Sequence, residues 1–319
     1  MADQMAIGMC FDRTFPGSAV TEFARRLDAG GVDELWLIED CFFTTAPPLA
    51  AAALAVTDRL TVGLGILPAV ARTAAITAME IATLASIGPG RVIGGIGHGI
   101  QSWMAQMGVR PESPLTTLDE VLTAVRRLLR GEEVTVDGRT VHLDRVRLEH
   151  VPDPVPPVLA GVRGPRSVAL SGRVADGVVL AGLCPPDYAR WARETAAAGP
   201  DFTVACFASA VVAPDAREAH RAMAPLVVEA LETAEGTGLR QLPFHDDLAE
   251  LARTRGPDGV VGMPRDWWVR IGPIGTRDDA AEHLALMAEA GASSVALFPG
   301  PDLDLALRQV DDVVALAAR

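Results

Sequence analysis

Two hydrophobic patterns alternate along the chain. The first is a set of short apolar runs: 5–11 (MAIGMCF), 33–38 (DELWLI), 60–67 (LTVGLGIL), 91–97 (RVIGGIG), 158–161 (VLAG), 176–181 (DGVVLA), 202–212 and 294–298 (SVALF). They are apolar at successive positions instead of every second one, which is what strands buried on both faces require. Between them the spacing turns helical. Val20, Phe23, Ala24 and Leu27 follow i, i+3, i+4, i+7 and stop at Gly30-Gly31. Val121, Leu122, Val125, Leu128 and Leu129 repeat the pattern before Gly131. Weaker stripes put Ile76, Met79 and Ala82 on one side of a helix at 73–86, and Ala281, Leu284, Ala285 and Ala288 along a helix near the C-terminal end. Helix starts are read at Ser18, at the capping-box spacing Thr117-x-x-Glu120, and at Thr276 with Asp279. Gly164-Pro165 opens another, with proline in a first turn where its missing N–H does no harm.

Eight such strands, nearly all followed by helices, predict an α/β fold: a single (β/α)8 TIM barrel with insertions over residues 1–319. A doubly wound open sheet is the alternative, but no G-x-G-x-x-G follows the first strand. Two stretches depart from the repeat. Residues 132–156 alternate like a hairpin turning at Asp137-Gly138. Residues 236–272, rich in Gly, Pro, Asp and aromatics, read as an irregular insert and a candidate lid.

Composition narrows the partners. The chain has 319 residues, 49% of them hydrophobic, ample for one large core, and a formal net charge of −13. That balance argues against nucleic acid or an anionic membrane surface as the main partner. The expected partner is a small molecule. Cys10, Cys41, Cys184 and Cys206 are widely spaced with no CxxC pair or zinc spacing. They read as reduced thiols of a cytoplasmic protein, with no metal site expected. The first residues lack the pattern of a secretion signal, and no uncharged apolar run reaches the ~18 residues of a membrane span.

In a barrel of this class the site lies at the C-terminal ends of the strands. The strand ending in Gly97-His98-Gly99 is the anchor: glycines at Gly94, Gly95, Gly97 and Gly99 weaken a strand, so something presses on the backbone there. A crowded barrel interior would require the same residues. The 161–166 loop, with Gly161, Val162, Arg163, Gly164, Pro165 and Arg166, is the best anion site. Its glycines admit the backbone, the helix start supplies N–H groups, and two arginines suit phosphate. Its plain alternative is a connecting loop with surface arginines. Asp40, ending an apolar strand, is a candidate catalytic carboxylate or a rim ion pair. His98 is a candidate proton donor or a structural histidine. Cys41 has no visible base and reads as a small buried hydrophobe; Asp176 reads as a structural turn residue. Phe42, Phe43, Trp103, Met104, Met107, Trp267 and Trp268 are candidate lining for an apolar pocket, with packing in the core as the ordinary alternative.

Several longer pieces match a known family. They are Leu27-Asp-Ala-Gly-Gly-Val-Asp-Glu-Leu-Trp36, Pro89-Gly-Arg-Val-Ile-Gly-Gly-Ile-Gly-His-Gly99, Gly131-Glu-Glu-Val-Thr-Val-Asp-Gly138, and the run from Gly161 to Gly177. In that order and spacing the chain resembles the bacterial luciferase-like superfamily, and within it the branch similar to methylenetetrahydromethanopterin reductase, which uses coenzyme F420. The resemblance covers about residues 5–315. It implies a cofactor ring in the barrel mouth against a bulge at Gly65-Ile66, where the family often has a non-prolyl cis peptide. It implies a phosphate-bearing tail near the 161–166 loop and the Gly97–Gly99 turn, and hydride transfer between F420 and a small organic substrate. A homodimer is expected on the same ground. Relatives commonly carry Asp-His at the end of the second strand, where this chain has Asp40-Cys41. That departure keeps two other readings open: an FMN-dependent monooxygenase fed by a partner reductase, and a non-catalytic flavin-binding protein.

Overall fold

The computed structural model describes residues 5–300 and 302–318, without the side chains of 234 and 235. In chain order the first half contains β1 (Ala6–Phe11), α1 (Val20–Ala29), β2 (Glu34–Leu37), α2 (Ala46–Leu54), β3 (Thr61–Pro68), α3 (Ala74–Ile87), β4 (Val92–Gly97), α4 (Gln101–Gln106) and α5 (Pro114–Leu129). The hairpin β5 (Val134–Asp137) and β6 (His142–Val146) follows, then β7 (Val158–Gly161), α6 (Pro165–Val174), β8 (Gly177–Gly182), α7 (Pro186–Ala196) and β9 (Thr203–Ser209). The last third contains β10 (Val211–Val212), α8 (Ala216–Glu232), α9 (His245–Val261), α10 (Arg265–Ile271), β11 (Ile274–Gly275), α11 (Arg277–Glu289), β12 (Ser294–Phe298) and α12 (Leu303–Ala317).

Among the described residues, eight strands close a parallel barrel in the order β1-β12-β9-β8-β7-β4-β3-β2. These are the eight apolar runs read from the sequence, so the (β/α)8 expectation holds. Their doubly buried composition follows from the geometry: one face packs against the helices and the other fills the barrel. The inner filling includes Cys10, Trp36, Ile38, Leu159, Val179, Ala205, Phe207 and Ala296. Trp36 and Phe207 meet edge to face, 5.0 Å between centroids. The indole of Trp36 takes the space a side chain at Gly63 would need, 2.3 Å from where a Cβ would stand. Its Nε1 donates to the buried Glu34 carboxylate at 2.7 Å, and burial pushes that carboxyl's pKa up.

Four local expectations are corrected. Residues 236–272 are not irregular: they form 3-10 turns, α9 and α10. The glycines and prolines that suggested disorder sit at the joints instead. Gly256 takes a φ of 57° at a kink before Pro257, and Pro264 precedes α10. These helices and α8 enclose a second core containing Met223, Val227, Leu248, Val260, Trp268 and Ile271. The run at 202–212 is also divided: β9 stays in the barrel, while β10 leaves it to pair with β11 in a separate two-stranded sheet.

The third correction concerns the helix faces. On α3, Ile76 and Met79 are exposed and Ala78, Ile81, Ala82 and Ala85 face inward. On α11 the buried face holds Ala280, His283, Leu284 and Met287, so of the stripe residues only Leu284 points in. Alanine-rich helices give little contrast between faces, so the stripe is read in the wrong phase.

The fourth concerns caps. α5 starts at Pro114, and Thr117 lies buried inside it, bonded to Thr140 at 2.9 Å. Glu120 instead accepts the backbone N–H groups of Arg139, Thr140 and Val141 at 2.8, 2.8 and 3.0 Å, pinning the hairpin turn. Ser18 lies in a 3-10 turn and caps nothing. The box at Thr276 and Asp279 is present as read.

Candidate active site

The barrel mouth is built from strand ends, and its two sides differ. At the end of β2, Asp40 pairs with Arg13 from the end of β1, and the Arg13 guanidinium lies 5.0 Å from the Phe43 ring centroid. Next to it the buried Glu39 accepts from Arg72 at 2.5 and 3.0 Å and from the Ala46 N–H at 2.9 Å. Arg72 also reaches Glu80 at 2.9 Å. A buried carboxylate is tolerable only when paired and hydrogen-bonded, and Glu39 is both. Sequence reading missed Arg13 and Arg72, and placed Glu39 at the strand end without a role. The available signal was the Glu39 type itself, since a carboxylate closing an apolar strand needs a cation. Cys41 is half-buried at this rim, not in the core as expected. Burial and the charges of Glu39 and Asp40 push its pKa up, so it stays a thiol and a poor nucleophile.

The other side is organised by a bulge. The β3–β4 register shifts between Leu64 and Leu67, and the Gly65–Ile66 peptide is cis and non-prolyl, at the place the resemblance implied. The bulge swings the Ile66 side chain across three glycines. A Cβ at Gly95, Gly97 or Gly161 would stand 3.0, 2.0 or 2.5 Å from Ile66 carbons. Ile66 presses on Gly97 and Gly161, the Leu64 carbonyl on Gly95, Ile81 on Gly94, and Pro68 with Met104 on Gly99, so the glycines follow from packing without any ligand. Beneath Gly65 lie Phe207 and Trp36, 3.0 and 3.3 Å from a notional Cβ. The floor of the mouth is flat and apolar.

Beyond Ile66 the strand β4 ends at Gly97, and His98 follows it. Its Nδ1 lies 3.2 Å from the Pro114 carbonyl and its Nε2 2.9 Å from Ser167 Oγ. With the proton on Nδ1, the ring donates to Pro114 and accepts from Ser167. Burial pushes its pKa down, opposed in part by the Pro114 bond. His98 thus ties β4 to the starts of α5 and α6. Gly99 turns the chain at a φ of 66°.

In the 161–166 loop, Gly164 precedes α6 and Pro165 occupies its first turn. A side chain at Gly164 would meet nothing within 4 Å, so the approach to the helix start is open. Val162 is buried, its N–H bonded to Val179 O at 3.2 Å. The Arg163 carbonyl accepts from Tyr188 Oη at 2.9 Å. Arg166 is exposed and, among the described residues, has no ion-pair partner. The structure thus gathers Gly65, Ile66, Gly97, His98, Gly99 and the 161–166 loop on one side, and leaves Asp40 with Arg13 on the other.

The candidate lining is scattered. Phe42 and Phe43 are exposed and Met104 is buried. Trp268 stacks on His220 at 4.5 Å and Trp267 on Phe244 at 4.3 Å, as parts of the second core. Asp176 is structural as read, taking Arg126 Nε at 3.2 Å and the Val158 N–H at 2.9 Å.

The family model described as luciferase-like monooxygenase matches residues 5–294. The chain belongs to this family. The luciferase-like chain is 30% identical to the 5,10-methylenetetrahydromethanopterin reductase of Methanolobus tindarius, over 96% of its own length and 98% of the relative's. It is 33% identical to the F420-dependent glucose-6-phosphate dehydrogenase of Nakamurella multipartita, over 44% of this chain and 43% of that one. Its fold superposes on the coenzyme F420 dependent tetrahydromethanopterin reductase of Methanopyrus kandleri with a TM-score of 0.78, covering 99% and 98% of the two chains at 19% identity. No described helix is long and apolar enough to cross a membrane, and no described cluster of His, Cys, Asp and Glu is arranged to hold a metal.

Proposed function

We propose that this luciferase-like protein is an enzyme, an F420-dependent oxidoreductase that transfers a hydride between the cofactor and a small organic substrate. The observation that carries the reading is the junction at Gly161. Ile66, over the apolar floor, lies against Gly161, the last residue of β7, and the loop that leaves this glycine runs to the open start of α6 at Gly164. A molecule with a flat ring and a phosphate tail needs those two features side by side. The full-length relationship to a methanopterin reductase and the partial one to an F420-dependent dehydrogenase support it.

When bound, F420 supplies the hydride chemistry at its deazaflavin ring. Ile66, Trp36 and Phe207 provide the apolar backing that orients a ring and excludes water. Gly97, Gly99, Gly164 and the 163–166 segment present backbone and arginine donors to the tail. Val162 supports that segment from the core, and Pro165 sets the start of α6. His98, with both nitrogens engaged, holds Ser167 and the helix start. Asp40 is the more exposed titratable group and is the one we assign to holding a substrate proton, under the charge of Arg13.

A second reading, an FMN-dependent monooxygenase fed by a reductase, is favoured by the family description and by Cys41 standing beside Asp40. The outer face of α3, with Ile76 45%, Met79 52% and Ile87 43% exposed, supports a homodimer, and the free cysteines suit a cytoplasmic protein. Met79→Arg is expected to yield monomers in light scattering. The deciding experiment titrates the purified chain with F420 and with FMN. Quenching that saturates with F420 at far lower concentration than with FMN is expected. The reverse order supports the monooxygenase, and binding of neither rejects both enzyme readings.

A further inference from the structure

One cavity lies beside the mouth and not within it. It is a space of about 620 Å³, walled by the loop at 69–74, the segment at 109–113 and the hairpin turn at 139–143. That volume lies within the roughly 300–1,000 Å³ range of small-molecule sites. Two of its walls are wired to the mouth. Arg72, in the first, holds Glu39 at the end of β2. Ser113, in the second, adjoins Pro114, whose carbonyl takes His98. A molecule whose reactive end lies in the mouth has room here for the rest of its body.

The lining chemistry defines that body. Val70, Ala71, Val109, Pro111 and Val141 make most of the wall apolar. Arg72 is already neutralised by Glu39 and Glu80. Arg139 differs: its backbone N–H is held by Glu120, while its exposed side chain has no ion-pair partner among the described residues. The turn carrying it is preorganised, because one carboxylate accepts three of its N–H groups, and those bonds outweigh burial to hold the Glu120 pKa down. We infer that this cavity is the substrate-specificity pocket, and that it takes an organic anion: an apolar body against Val70, Val109 and Val141, with its negative end at Arg139. The inference rests on the oxidoreductase reading for its purpose, but not for its physical content.

The test uses anilinonaphthalene sulfonate, an aromatic anion that fluoresces in apolar surroundings, on the full chain and on Arg139→Glu, with Arg145→Glu as control. Arg145 lies on the same hairpin, outside the cavity lining, beside Asp144. Arg139→Glu is expected to raise the dye's Kd at least about tenfold, a charge reversal being worth ~1.4 kcal/mol or more, while Arg145→Glu leaves it unchanged. Val109→Trp, which fills the cavity, is expected to lose the dye as well. Equal Kd in Arg139→Glu and the parent overturns the proposal, as does equal weakening by Arg145→Glu. F420 is titrated in the same samples. If the parent fails to bind F420 but the dye depends on Arg139, the cofactor reading falls and the pocket stands. If Arg139→Glu removes F420 together with the dye, the cavity holds cofactor and the substrate assignment is wrong.

Discussion

The two sides of the barrel mouth solve opposite problems. The β1–β3 side carries five charges close together, and each is answered by another: Arg13 by Asp40, and Arg72 by Glu39 and Glu80. The β4–β7 side carries fewer, Arg163 and Arg166 of the 161–166 loop. It is built from glycines, a neutral histidine and a helix start, arranged around one isoleucine. Self-neutralised charge makes a rigid rim with little left for a ligand, whereas uncovered backbone and an open helix start leave hydrogen-bonding capacity unspent. Under the proposed function, the difference gives the first side, Asp40 aside, a structural part and the second side the cofactor.

Removing Glu39 should separate the sides most sharply. Glu39→Ala leaves Arg72 largely buried without its main partner, and breaking such a pair costs about 3–5 kcal/mol. Urea denaturation checks this; a loss under 1 kcal/mol would mean that the charged side is not structural. On the other side, Gly161→Ala drives a methyl into Ile66, whose carbons are its three nearest atoms, and overpacking of this kind costs about 1–3 kcal/mol. Ile66→Ala in the same chain should return part of that loss, so the double variant is more stable than the sum of the singles predicts. Strict additivity would show that Ile66 is not what the glycine accommodates.

His98→Gln should cost about 1 kcal/mol at pH 8, the usual net worth of a hydrogen bond, and the cost should depend on pH. Burial lowers the folded pKa of His98 below its ordinary 6.5, so the neutral ring's contribution is complete above 6.5 and is lost as pH falls below it. Glutamine does not titrate, and the gap between the two chains should therefore narrow on acidification. A gap that widens would mean that His98 is charged in the fold. His283, pushed down to about 4 by complete burial, destabilises both chains in acid alike and cancels in the difference. The smallest effect belongs to Arg13→Ala. Its pair with Asp40 is exposed, at 39% and 28%, and such pairs contribute about 0–1 kcal/mol.

The fold was legible where the pattern was local. Doubly apolar runs marked all eight barrel strands, and Asp137-Gly138 marked the hairpin. The 161–166 loop was legible as a strand-to-helix connection, because Gly164-Pro165 after an apolar run marks a helix start. The satellite helices were not, since Gly256, Pro257 and Pro264 signal a break without saying what the segments between the breaks do. Nor were the outer faces of α3 and α11, where alanine gives no contrast between inside and outside.

By itself the sequence determined the barrel, the position of its mouth and the residue types placed there, because the period of burial along a strand or helix is written in consecutive residues. Tertiary structure alone decided what those residues meet. Ile66 lies across Gly95, Gly97 and Gly161; Arg13 answers Asp40; Glu120 leaves its expected cap to hold a turn about twenty residues away. The reason is physical: a glycine records only that space is short, and a charge only that a partner is needed. Which group fills the space or answers the charge depends on closure of the barrel, which brings together residues far apart in the chain.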